Sequence, residues 1–196
     1  MVLAEVSRLV VDVGRFRDDA QEQMTQVGMG AVYTHTHDGR RLRQYSAELR
    51  EDLLRKYYDP HHERLNAVVG KCLGDSGACL ILDIHSFPSR PLPYEQNQNG
   101  GRPEICLGTD DFHTCPTLRE KAAQFYQARG FRVVENEPFS GTIVPSPYYQ
   151  RDPRVQSLMV EFNRSLLMDE TNGLMRHQAI QIMQSVRELA ELVTSD

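Results

Sequence analysis

Long apolar runs, a surplus of basic charge and closely paired cysteines are all missing from this chain of 196 residues. No stretch approaches the roughly 20 apolar residues that a membrane-spanning helix needs. The N-terminus, Met1 to Val6, meets an acid at Glu5 and lacks the layout of a secretory leader, so a cytoplasmic protein is expected. Net charge is −5, which leaves no basic field to recruit nucleic acid. Arg40, Arg41 and Arg43 do cluster, but Glu48, Glu51 and Asp52 follow closely, as at a solvated helix start. The four cysteines (Cys72, Cys79, Cys106, Cys115) show no C-x-x-C spacing and read as reduced, mostly buried thiols. What is present is ordinary for a folded protein: 40% hydrophobic and 25% charged residues, enough for a single domain spanning 1–196 and against disorder throughout.

β-Branched density predicts a first strand over Glu5–Val13 and a short extended piece at Ala31–Thr34. Helical spacing of Leu42, Tyr45, Leu49, Leu53 and Leu54 predicts a helix over Leu42–Tyr58, interrupted at Pro60 and followed by a second stretch to about Val69. The unbroken apolar run Ala78–His85 suits a strand buried on both faces. Two long loops are expected, Ser86–Cys115 and Asn136–Tyr149; loops of that length inside a compact domain are usually functional. Between and after them the pattern predicts a helix from Thr117 to a glycine stop at Gly130, a strand at Phe131–Val134, a strand at Ser157–Phe162 and a closing helix over Thr171–Val193. Strands alternating with helices point to an α/β domain, three-layer α/β/α with a central mixed sheet.

In such sheets ligands bind beyond the carboxyl ends of strands. Asp83-Ile84-His85-Ser86 and Glu161-Phe162-Asn163-Arg164 stand at two predicted ends, and Asp12-Val13-Gly14-Arg15 at a third. His85 reads either as a hydrogen-bonded strand-end histidine or as a metal ligand. Glu161 lies within an apolar pattern, where a carboxylate is costly to bury unless it is paired or functional. Arg8 and Arg15 read either as substrate-facing cations or as ion-pair partners of Asp12 and Asp18. His35 and His37, two residues apart, form a possible ligand pair or face solvent; His61 and His62, beside Pro60, carry little metal signal.

Longer segments carry a resemblance. Leu82-Asp83-Ile84-His85-Ser86-Phe87-Pro88, Gly108-Thr109-Asp110-Asp111-Phe112-His113-Thr114, Asn136-Glu137-Pro138-Phe139-Ser140-Gly141 and Glu161-Phe162-Asn163-Arg164 resemble, in order, segments of the N-formylglutamate amidohydrolases. Ser7-Arg8-Leu9-Val10-Val11-Asp12 with Arg15-Phe16 resembles the opening S-R-L-V-V-D-x-N-R-F segment, with Gly14 in the place of its asparagine.

The resemblance implies a cytoplasmic hydrolase of histidine degradation with a zinc-carboxypeptidase-like fold. It would cleave the amide of an N-acyl amino acid, N-formyl-L-glutamate first among them, to formate and glutamate. It gives zinc as cofactor with His85 as ligand, Glu161 as general base, Arg8 at the developing oxyanion, Arg15 at the substrate carboxylate and Tyr149 as a substrate-closing residue. The family's P-H-x-G segment, with a first histidine ligand and an acid after it, has no counterpart in residues 1–196. A catalytic zinc normally takes three protein ligands, so weak zinc binding and little deformylase activity are expected of these residues alone. An amidase for another acyl amino acid or short peptide, and a catalytically silent carboxylate-binding relative, are the alternatives.

Overall fold

A computed structural model describes residues 1–95 and 97–195. The chain divides into two compact units, residues 1–75 with 92–95, and residues 76–91 with 97–195.

In the first unit, the predicted strand over Glu5–Val13 is instead a series of turns. Ser7 explains the start: its hydroxyl accepts the Leu9 N–H at 3.2 Å and its carbonyl the Val10 N–H at 2.7 Å. Asp12 ends the segment by accepting the Gly14 N–H at 3.1 Å. Short polar side chains thus offer the backbone local partners in place of a ladder. The valines still do the work of burial, since Val11, Ala31 and Val32 pack with Leu54 and Tyr58 into one cluster. Ala31–Thr34 is likewise not a strand, and the nearest pairing is an isolated bridge between His35 and Arg41.

The helix expected from Leu42 starts later, as α1 (Ala47–Leu53), because Ser46 caps it by accepting the Leu49 N–H at 3.1 Å. It passes through a π turn, Leu54–Tyr58, into α2 (Asp59–Ser76). Pro60 was expected to interrupt the helix, yet it sits in the first turn of α2. The wider turn before it moves away the carbonyls that a proline ring would otherwise strike.

The second unit holds a four-stranded mixed sheet, ordered β1-β4-β2-β3 among the described residues. Its strands are β1 (Cys79–Phe87), β2 (Ile105–Gly108), β3 (Val133–Glu135) and β4 (Val155–Asn163). β4 runs parallel to β1 and antiparallel to β2, while β2 and β3 are parallel. The α/β class and the mixed sheet therefore agree with expectation. Two details differ. β2 lies within what read as one loop; all four of its residues are buried, so it shows no polar alternation to betray a strand. β1 occupies an end of the sheet order and is mostly half-buried, whereas β4 between two neighbours is buried almost throughout.

Alternation then sorts the side chains. Leu158, Val160 and Phe162 of β4, with Leu80 and Leu82 of β1 and Ile105 and Leu107 of β2, face α3 (Pro116–Gln127) and α4 (Ala179–Thr194). Leu118, Ala122, Phe125, Tyr126, Ile182 and Leu189 complete that core. α3 stops near Gly130, whose φ of 85° only glycine adopts freely. α4 begins eight residues after the expected Thr171, because Asp169 accepts the Thr171 N–H and hydroxyl and folds the segment into a turn.

Candidate active site

The opposite face of the same sheet is polar, and the site is built there. In the parallel register His85 lies beside Glu161, and in the antiparallel register Cys106 lies on the other side of Glu161. Aligned residues on neighbouring strands project to one face. Three strands therefore present His85, Glu161 and Cys106 as a row near the carboxyl ends of β1 and β4. Glu161 is buried, to 8% exposure, in the middle of it.

Asp83, two residues before His85, shares its face, and its Oδ1 lies 2.7 Å from His85 Nε2. A carboxylate so placed fixes the orientation and tautomer of an imidazole. Cys106 donates its thiol to the Phe139 carbonyl at 3.2 Å. Burial pushes that thiol up to about 11, with the Glu161 charge acting in the same direction, so it stays protonated at neutral pH. Gly108, the last residue of β2, allows the loop after β3 to come close: a Cβ there would stand 2.3 Å from the Gly141 carbonyl and 2.3 Å from Met159 Cε. Asn136, with φ 55°, starts this loop by bonding both the N–H and the hydroxyl of Thr109. The Ser157 hydroxyl holds its far part at the Ile143 carbonyl, 2.8 Å away. The second long loop is thus ordered along the polar face.

Two sequence candidates have other occupations. His113 is wholly buried; its Nδ1 bonds the Val155 carbonyl at 2.8 Å and its Nε2 accepts the Gln150 N–H at 2.8 Å. Both nitrogens are committed to backbone, which makes His113 a neutral structural histidine. Tyr149, expected to close over substrate, stacks on that imidazole with ring centroids 5.8 Å apart. Val155 precedes Glu161 by six residues along β4, roughly 20 Å. The structure therefore does not bring Tyr149 together with His85 and Glu161, because its partner is anchored at the start of β4.

Arg8 and Arg15 belong to the first unit. Arg8 is exposed on the Ser7 turn. Arg15 lies 3.6 Å from Asp12 and 3.8 Å from Glu22, both buried carboxylates; the second partner is Glu22, not the expected Asp18. Tyr33 donates to Asp12 at 2.8 Å, and burial pushes its phenol up to about 12. His35 bonds Thr34 through Nδ1, and His62 bonds the Val13 carbonyl while stacking on Tyr58. Burial lowers the His62 pKa and keeps its ring neutral.

His85 and the buried Glu161 thus lie in register where the parallel strands β1 and β4 end, the place where α/β sheets commonly bind ligands. A profile of N-formylglutamate amidohydrolase matches residues 1–168. The chain belongs to the N-formylglutamate amidohydrolase family. Its fold is similar to the crystal structure of N-formylglutamate amidohydrolase from Ralstonia eutropha JMP134, with a TM-score of 0.79 and 21% identity, over 95% of this chain and 73% of that one. It is also similar to the gene product Atu2144 from Agrobacterium tumefaciens, with a TM-score of 0.63 and 17% identity, over 96% and 68%. No curated protein matches the chain.

The sequence already places Asp83 at the strand end with His85, two residues apart and so on one face. Cys106 joins the row only through β2, a strand that its sequence pattern does not announce.

Proposed function

We propose that this chain handles an N-acyl amino acid, N-formyl-L-glutamate first, and hydrolyses its amide to formate and the free amino acid. The observation that carries this reading is the register of His85 against Glu161 on one polar face, in a chain of this family. Glu161 takes a proton from the attacking water and returns it to the leaving amine, while Asp83 holds the His85 imidazole. Glu161 is buried, to 8% exposure, in a row with a neutral thiol.

Zinc enters through the family resemblance, with His85 as the ligand supplied here. The donors fit in part only: among the described residues no three His, Cys, Asp or Glu side chains form a group able to hold a metal. That same observation favours a binding-only role as the second reading. Arg8 at the oxyanion and Arg15 at the substrate carboxylate are further assignments from the resemblance, tested by Arg8→Ala and Arg15→Ala. The four free cysteines and the absence, among the described residues, of a helix long and apolar enough to cross a membrane accord with a cytoplasmic setting.

Formate release from N-formyl-L-glutamate, with and without added zinc, tests the reading beside elemental analysis of the protein. Metal content well below one zinc per chain is expected, with slow release that rises on adding zinc. Release unchanged by Glu161→Gln defeats the assigned base, and ligand binding with no release at any zinc concentration favours the silent relative.

A further inference from the structure

We propose that the outer face of α4 is an interface, on which the α4 helix of a second copy of this chain packs antiparallel to form a two-fold dimer. α4 covers the core face of the sheet, opposite the His85–Glu161 row, so the interface is separate from the candidate active site.

Four large apolar side chains mark the surface. Leu174, Met175, Ile180 and Met183 are 68%, 71%, 60% and 67% exposed, more than any other large hydrophobic except Met1 among the described residues. Apolar side chains exposed singly need no explanation, but four within ten residues make the kind of patch that marks an interaction surface. α4 turns Ala179, Ile182, Ser185 and Leu189 into the core. Helical spacing then sets Ile180, Met183, Gln184, Arg187 and Glu191 in one outward stripe, and all five are exposed.

Charge decides what covers it. Residues 171–187 contain no acid and carry Arg176, His177 and Arg187, in a chain whose net charge is −5. At the start of α4 no side chain caps the helix, and the first turn holds no acid. Near the other end stands Glu191, in the last turn, where the dipole of its own helix disfavours an anion. Among the described residues neither Arg187 nor Glu191 makes an ion pair. One end of the stripe therefore favours an anion, and the other end offers one.

A two-fold axis across the middle of α4 satisfies both ends at once. Glu191 of each copy falls beside the partner's Arg176 and the uncapped first turn of the partner's helix. The Met183 side chains of the two copies meet at the axis, and the stem of the partner's Arg187 covers Ile180. A parallel pairing would instead set like charges together at both ends. Closed two-fold dimers are also the commonest assembly of identical chains, with each contact made twice. One pair of helices is small for a specific interface, so association in the micromolar range is expected rather than a permanent dimer.

The test is sedimentation equilibrium of the full chain over a range of concentration, with melting temperature as the check on folding. The unaltered chain should pass from monomer to dimer mass as concentration rises. Met183→Glu should weaken association at least tenfold and keep its melting temperature, because the side chain is exposed in the monomer. Should that variant fail to fold, Ile180→Lys carries the same comparison. Arg176→Glu and Glu191→Arg should each weaken association about fivefold, since the symmetry counts each lost pair twice. The two reversals together should restore it. A monomer at every concentration overturns the proposal. So does a dimer that Met183→Glu leaves intact, or a loss from the single reversals that the double reversal does not recover.

Discussion

His113 and His85 both lie against β4, and the two ends of that strand treat an imidazole in opposite ways. At the start, His113 is wholly buried and both of its nitrogens serve backbone groups. At the carboxyl end, His85 is 29% exposed at its side chain, faces a carboxylate on its own strand and stands beside Glu161. The first arrangement spends the ring on holding the turn at Gln150. The second leaves the ring partly exposed and orients it through a side-chain carboxylate. Burial alone would have ranked the two histidines the wrong way round; the chemistry of the partner separates them.

The comparison is broken most directly by exchanging the carboxyl-end base. Glu161→Gln should lower zinc-supplemented formate release by about 10³-fold or to background, within the range expected for losing a general base. Circular dichroism should show the fold retained, since the amide keeps the shape of the side chain.

At the other end His113→Ala should cost about 3–5 kcal/mol, because it opens a buried cavity and strands the Gln150 N–H and the Val155 carbonyl. For a chain of this size that is a fall in melting temperature of roughly 10 °C. A change under about 1 kcal/mol would mean that His113 is not the staple described here.

Alkaline unfolding probes the buried groups that stay neutral, Cys106 of the polar face among them. The Cys106 thiol is raised to about 11 by burial, and the Tyr33, Tyr58 and Tyr126 phenols to about 12. Each folded-state pKa lies above its unfolded value, so the folded chain binds more protons in the window between them. The stability these groups contribute is whole below the unfolded pKa of each, and is lost as pH rises through the folded one. Denaturant midpoints should therefore fall steadily from about pH 9 to 11, by on the order of 2 kcal/mol from Cys106. Cys106→Ala should flatten the early part of that slope.

The smallest effect is reserved for His85. His85→Ala should change stability by less than about 1 kcal/mol, as expected of a partly exposed side chain bonded to another side chain. The same variant should lose zinc-stimulated formate release. A large destabilisation with activity retained would turn the comparison around.

Much of this was legible from residue patterns because the signals were local. The run Ala78–His85 and the pattern Ser157–Phe162 located β1 and β4, and with them His85 and Glu161 at strand ends. The helix stop at Gly130 was equally local. What escaped depended on partners distant in sequence. Four buried residues at Ile105–Gly108 have no alternation to display, and only pairing with β3 and β4 makes them a strand. Glu5–Val13 has strand composition, but Ser7 and Asp12 close turns that compete with any ladder. Tyr149 is near Glu161 by sequence order and far from it in space, because its ring follows His113.

The strand order carries a consequence for how the protein is made. β4 is the last strand to be synthesised, yet it lies between β1 and β2. Until Asn163 has been synthesised, β1 has no neighbour in its sheet among the described residues, and the apolar side chains Leu80 and Leu82 have only half of their core. No hairpin between neighbours in sequence can begin the sheet, since β1 and β4 are joined across a long stretch of chain. The central pairing is non-local, a kind that forms slowly and leaves an apolar edge open during translation. Release from the ribosome before β4 emerges would yield a chain with nothing to zip against, and a species inclined to aggregate rather than a smaller folded protein.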